Sequence, residues 1–136
     1  MSNVTDLQKR TSKRAFTLIE LIIVIAILAI LAVILIPTMN GIVSDSKKSV
    51  ANANARTIYS IAQTKAVLSS TQGTTIADKD YAYTGDAADL QFAKDVAADA
   101  GEFVVGSKFT ITVAGGKVTK IAFTAADGTV GNYPKS

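Results

Sequence analysis

The sequence contains no cysteine and no histidine. The first absence rules out a disulfide framework. The two together exclude thiolate and imidazole chemistry, whether as nucleophile, general base or metal ligand. The carboxylates show no paired arrangement suited to acid–base work. Glycine-rich phosphate cradles are missing as well: Gly115-Gly116 is not followed by the start of a helix, as such a loop requires. Charge of one sign is scarce after the first fifteen residues. The formal net charge is +3, from 14 basic and 11 acidic residues. Residues 1–15 hold four of those bases (Lys9, Arg10, Lys13, Arg14) and one acid (Asp6), so ten of each sign remain beyond them. The charge therefore bears on membrane orientation, not on nucleic acid as a direct ligand. Proline occurs only at Pro37 and Pro134.

What the sequence has in abundance is aliphatic side chains in one place. Phe16 to Pro37 reads FTLIELIIVIAILAILAVILIP, and Leu21–Ile36 is sixteen apolar residues without a break. As a helix, Phe16–Ile36 would measure about 31 Å, close to the hydrocarbon thickness of a bilayer. The four bases just before it favour a cytoplasmic N-terminal side. A secretory signal predicts a shorter run and a small-residue cleavage site close behind it. Here Pro37-Thr38-Met39-Asn40-Gly41 follows, and Ala51-Asn52-Ala53 lies too far on. A plain single-pass anchor explains the length and the basic flank but leaves Glu20 unexplained. A carboxylate within a spanning helix is costly, about 2.5–3.5 kcal/mol at its centre.

Lys13-Arg14-Ala15, then Phe16-Thr17-Leu18-Ile19-Glu20, the aliphatic run and the closing Pro37 together resemble the N-terminus of a type IV prepilin. The resemblance covers residues 9–40, and nothing beyond residue 70 resembles the family closely. It implies a prepilin peptidase that cuts between Ala15 and Phe16 on the cytoplasmic side and N-methylates Phe16. It also implies an assembly platform protein, an assembly ATPase, and a product that polymerises with copies of itself into a helical filament. Two positions depart from the family pattern: Ala15 stands where glycine is usual, and Ala29 where many members have a mid-run glycine.

On this reading the ammonium created at Phe16 lies within about one helical turn of Glu20. The pair would neutralise each other, in one chain or between neighbours, and pin the register of assembly. Pro37 lacks an amide hydrogen and predicts a kink. Helical periodicity resumes after it, with Ile42, Val43, Val50, Ala53, Thr57, Ile61 and Leu68 on one stripe and Ser44, Lys48, Asn52, Ala55, Gln63 and Ala66 opposite. Tyr59 interrupts the polar side and reads as a singly exposed aromatic or a subunit contact.

Gly73 suits the end of this helix. Residues 71–85 read as a loop in which Asp78 and Asp80 are too few for a hard-cation site. Asp86 is the expected cap of a helix over 87–100, with Asp89 in its first turn, an inner face of Leu90, Ala93, Val96, Ala97 and Ala100, and Gly101 as its stop. Phe103-Val104-Val105 reads as a short strand. Residues 108–113 alternate, with Phe109, Ile111 and Val113 on one face, and 117–124 return. A three-residue turn at 114–116, pairing Phe109 with Ile121, aligns the apolar faces better than a Gly115-Gly116 turn, which pairs Ile111 with Lys120. Thr129–Tyr133 closes the set.

The expected fold is α+β: a long N-terminal helix, apolar then amphipathic, under a small antiparallel meander whose Phe109 face covers the Ile42-to-Leu68 stripe. The expected organisation is a cytoplasmic leader at 1–15 that is removed, a membrane or filament-core segment at 16–37, an amphipathic helix at 38–70, a connecting region at 71–101 and the sheet region at 102–136. No cofactor and no enzymatic activity are expected. The precursor would sit in the cytoplasmic membrane and the product in an extracellular surface filament. A major pilin serving adhesion, motility or DNA uptake is the first functional reading. A pseudopilin of a secretion or competence system and a ligand-binding minor pilin are the alternatives.

Overall fold

The computed structural model describes residues 15–134. The chain divides into two units, Met1–Asn40 and Gly41–Ser136. Helix α1, Leu18–Thr71, contributes to both.

In the first unit the run of Leu, Ile, Val and Ala supports helix on every side. Its large side chains stay exposed from Leu18 to Ile36. Pro37 lies inside α1, so the helix does not end there. Its ring removes one backbone donor from the ladder. The neighbouring Thr38 hydroxyl donates to the carbonyls of Leu35 (2.8 Å) and Ile34 (3.4 Å), binding the helix backbone at this point.

In the second unit α1 ends as expected. Gly73 has a positive φ of 80°, and the amides of Gly73 and Thr74 donate to Ser70 and Ser69, a Schellman closure. Against the rest of α1 lies one antiparallel sheet of four strands in chain order: β1 Asp80–Tyr83, β2 Lys108–Ala114, β3 Lys117–Thr124 and β4 Val130–Tyr133. Helix α2, Gln91–Ala100, and a 3₁₀ turn, Gly101–Val104, bridge β1 to β2. The core joins Ala51, Ala55, Ile58, Ala62 and Ala66 of α1 with Phe109, Ile111, Val113, Val118, Ile121 and Phe123 of the sheet, and with Ala93, Val96 and Ala97 of α2. The α+β expectation holds, and so do the inward sheet face and most of the α2 face.

The face of α1 is a correction. The stripe expected inside is exposed at Ile42, Val43, Val50 and Leu68, whereas Ala55 and Ala66, expected outside, are buried. The two faces lie about 140° apart around the helix. The covered face is small because the sheet supplies the bulk. Phe109, Ile111, Ile121 and Phe123 fill the interface, and alanine lets the backbones approach. At Gly131 the approach is so close that a Cβ would overlap the carbonyl of Ala51. Polar side chains of α1 complete the seam: Asn52 accepts the Asn132 amide (3.0 Å) and Gln63 accepts the Val118 amide (3.2 Å).

Neither expected hairpin register is the observed one. The turn has two residues, Gly115 and Gly116, both at positive φ. A bulge between the Val113–Val118 and Thr112–Lys120 pairs inserts Thr119, after which Ile111 faces Ile121 and Phe109 faces Phe123. The bulge restores the apolar alignment that a plain two-residue turn would lose, and the Thr119 hydroxyl donates to Thr112 O at 3.1 Å.

Three further corrections concern residues 80–105. Asp80–Tyr83 is a strand paired with β2, its Tyr81 and Tyr83 opposite Ile111 and Phe109. Phe103-Val104-Val105 is not a strand: Phe103 and Val104 belong to the 3₁₀ turn. Helix α2 starts at Gln91 without a side-chain cap. Asp86 does not cap it, and Asp89 lies before it. Finally, Tyr59 is not a lone exposed ring, for it packs edge-on against Tyr133 at 4.9 Å.

Candidate functional site

The residues expected to carry function gather where α1 begins. Ala15, Phe16 and Thr17 are not helical, and Phe16 is 82% exposed. The helix starts at Leu18 because Thr17 caps it. Its Oγ1 accepts the amide of Glu20 at 3.3 Å, and its carbonyl accepts the amide of Leu21 at 3.3 Å. Threonine followed three residues later by glutamate is the capping-box pattern. Thr17-x-x-Glu20 ahead of an apolar run is itself a helix-start signal in the sequence. Glu20 therefore occupies the first turn, where a carboxylate is favoured by the helix dipole. It is solvent-exposed, as are the aliphatic side chains that follow.

Ala15 and Phe16 stand in the exposed, non-helical segment just before α1, and Glu20 follows in its first turn, four residues after Phe16. Pro37 lies seventeen residues beyond Glu20 and is not part of this cluster. The basic residues Lys9, Arg10, Lys13 and Arg14 lie outside the described residues. The helix that follows is long and apolar enough to cross a membrane.

The acidic side chains of the second unit serve its loops. Asp78 accepts the amides of Gly115 and Gly116, each at 2.9 Å, and these bonds hold its carboxyl below the usual carboxylate range. For Asp89, partial desolvation pushes the pKa up, but the Thr84 amide and hydroxyl and the amides of Gly85 and Asp86 outweigh it and hold it down. Asp127 accepts from Thr129 and pairs with Lys47 at 3.0 Å, and its pKa falls from 3.8 to about 2. No group of three or more potential metal ligands occurs among the described residues. A groove of about 780 Å³ runs past Tyr83, Asp86, Lys94, Val105 and Ser107. There the Lys94 ammonium donates to the carbonyl of Ala87 at 2.6 Å.

Residues 10–36 match the family model of the prokaryotic N-terminal methylation motif. This motif is the type IV pilin-class prepilin signature, and it supports a pilin- or pseudopilin-like precursor, a structural subunit by kind. It implies processing by a prepilin peptidase, and with the apolar helix it fits a membrane-anchored precursor. No curated protein and no solved structure matches the chain.

Proposed function

We propose that the chain is the precursor of a major pilin. A prepilin peptidase hydrolyses the Ala15–Phe16 bond; water supplies the hydroxyl of the Ala15 carboxylate and a hydrogen to the Phe16 amine. The peptidase then transfers a methyl group from an electrophilic methyl donor, such as a sulfonium, to the Phe16 amine, which gives up a proton. Residues 1–15 are the discarded leader, 16–37 the membrane and filament-core segment, 38–70 the amphipathic helix, 71–101 the connection and 102–136 the sheet region. Glu20 pairs with the new ammonium during assembly, and Pro37 is the kink of the helix. The mature subunit polymerises through the platform protein and ATPase of its system into an extracellular type IV pilus, used for adhesion, surface motility or DNA uptake.

The observation that carries this reading is the motif at residues 10–36 together with the exposure of every large aliphatic side chain of α1 from Leu18 to Ile36. Lipid covers such a surface before assembly and neighbouring subunits cover it afterwards. Glu20 gives the sharpest test. Losing one partner of a buried ion pair costs about 3–5 kcal/mol. Glu20→Ala should therefore insert and be cut like the wild type yet give few or no surface fibres by electron microscopy. Normal fibres from that variant would contradict the pairing role. Long fibres from the wild type distinguish the pilus from a short secretion pseudopilus.

A further inference from the structure

We infer that Thr17 is a positioning residue for the cleavage: its hydroxyl stops α1 one residue short of Phe16 and so keeps the Ala15–Phe16 bond out of the helix. The inference rests on the prepilin reading and deepens it.

A peptide bond inside an α-helix has its amide and carbonyl engaged in the ladder and its faces shielded by neighbouring turns. A peptidase needs those groups free. The residues flanking the bond do nothing to stop a helix. Ser12, Lys13, Arg14, Ala15 and Phe16 include neither glycine nor proline, and Ala, Arg and Lys are among the strongest helix formers. Left to propensity, α1 would run back through the scissile bond. In the structure it does not: Ala15, Phe16 and Thr17 are non-helical and helix begins at Leu18.

The contact that ends it is the Thr17 hydroxyl accepting the Glu20 amide. A capping threonine adopts a non-helical backbone while satisfying a donor of the first turn. It therefore fixes the boundary at one residue. Ala15 sharpens the point. A glycine there would oppose helix through its own backbone entropy; with alanine in place, that task falls on Thr17.

The test is a double-mutant cycle read on the full chain co-expressed with a prepilin peptidase. The cleaved fraction over time is normalised to membrane-inserted precursor, so that a variant failing to insert is not scored as uncut. Thr17→Val keeps the branched shape without the hydroxyl and should slow cleavage about three- to ten-fold, the scale of a lost cap. Thr17→Ser keeps the cap and should be cut at close to the wild-type rate. In an Ala15→Gly background the loss caused by Thr17→Val should shrink to less than about two-fold, because glycine opposes helix independently. An equal loss in both backgrounds would mean that Thr17 touches the peptidase directly, and no loss in either would mean that the cap is irrelevant. Each of these overturns the inference while leaving the prepilin reading intact. A wild-type chain left whole by the peptidase overturns the prepilin reading itself, and this inference with it.

Discussion

Single side chains decide more in this protein than its bland composition implies. Glu20 is the one charged residue from Phe16 to Ile36, and it stands in the first turn of α1, five residues after Ala15. On the proposed reading its chemistry depends on whether the Ala15–Phe16 bond is whole, because cutting would create the amine that neutralises it. Asp127 does a comparable job in the second unit. Held by the hydroxyl and amide of Thr129 and by the Lys47 ammonium, it ties the loop before β4 to α1. A carboxyl whose pKa is lower in the folded chain adds stability above its unfolded value, and that stability is lost as the pH falls through the folded value. For Asp127 the window runs from about 4 down to about 2. Thermal unfolding of the detergent-solubilised chain should show stability level near neutrality and falling across that window. Asp127→Asn should be less stable at pH 7 and lose less between pH 4 and 2. Asp78 and Asp89 shift in the same direction and will add to the wild-type slope, so the difference between the two chains is the informative quantity.

At the scale of elements, the closest contact is β4 on α1. Gly131 rests on the helix backbone at Ala51, where a Cβ would meet main-chain atoms that cannot swing aside. Gly131→Ala should cost about 1–3 kcal/mol by overpacking, measurable as a lower midpoint in urea, whereas Gly128→Ala, with open space around its Cβ position, should act only through its positive φ. The period-two run 108–113, the return at 117–124, the Gly73 stop and the inward faces of β2 and α2 were legible in the sequence because local patterning determines them. Two features were not. The hairpin register depends on a bulge at Thr119, and neither a two- nor a three-residue turn in a regular ladder reproduces it. The buried face of α1 depends on what packs there: hydrophobicity alone selects Ile42, Val43, Val50 and Leu68, but a bulky sheet pressed close to a helix selects Ala51, Ala55, Ala62 and Ala66. Strand β1 was hidden by its shortness and by Asp78-Lys79-Asp80 beside it, although Tyr81 and Tyr83 already carry the alternation. At the candidate site, Ala15, Phe16 and Glu20 are marked by the motif, and Thr17 by the capping-box spacing that the motif contains.

For the whole molecule, the wrong face of α1 is the informative one. The aliphatic stripe left uncovered by the sheet at Ile42, Val43, Val50 and Leu68 continues, residue type by residue type, the apolar character of the segment before Pro37. In the proposed filament of copies such a stripe would be covered by neighbouring subunits. Replacing Val50 and Leu68 together by lysine should leave unfolding of the single chain within about 1 kcal/mol of wild type, as surface changes do, and should abolish fibres. Fibres unchanged in number and length would mean that the stripe is not an interface. The account as a whole stands on one covalent event, the making of a new N-terminus at Phe16. Intact-mass measurement and N-terminal sequencing of protein sheared from the cell surface test it directly. The account predicts a chain that begins at Phe16 and carries one added methyl group on its amine. A chain that begins at Met1, with residues 1–15 retained and unmodified, would contradict it.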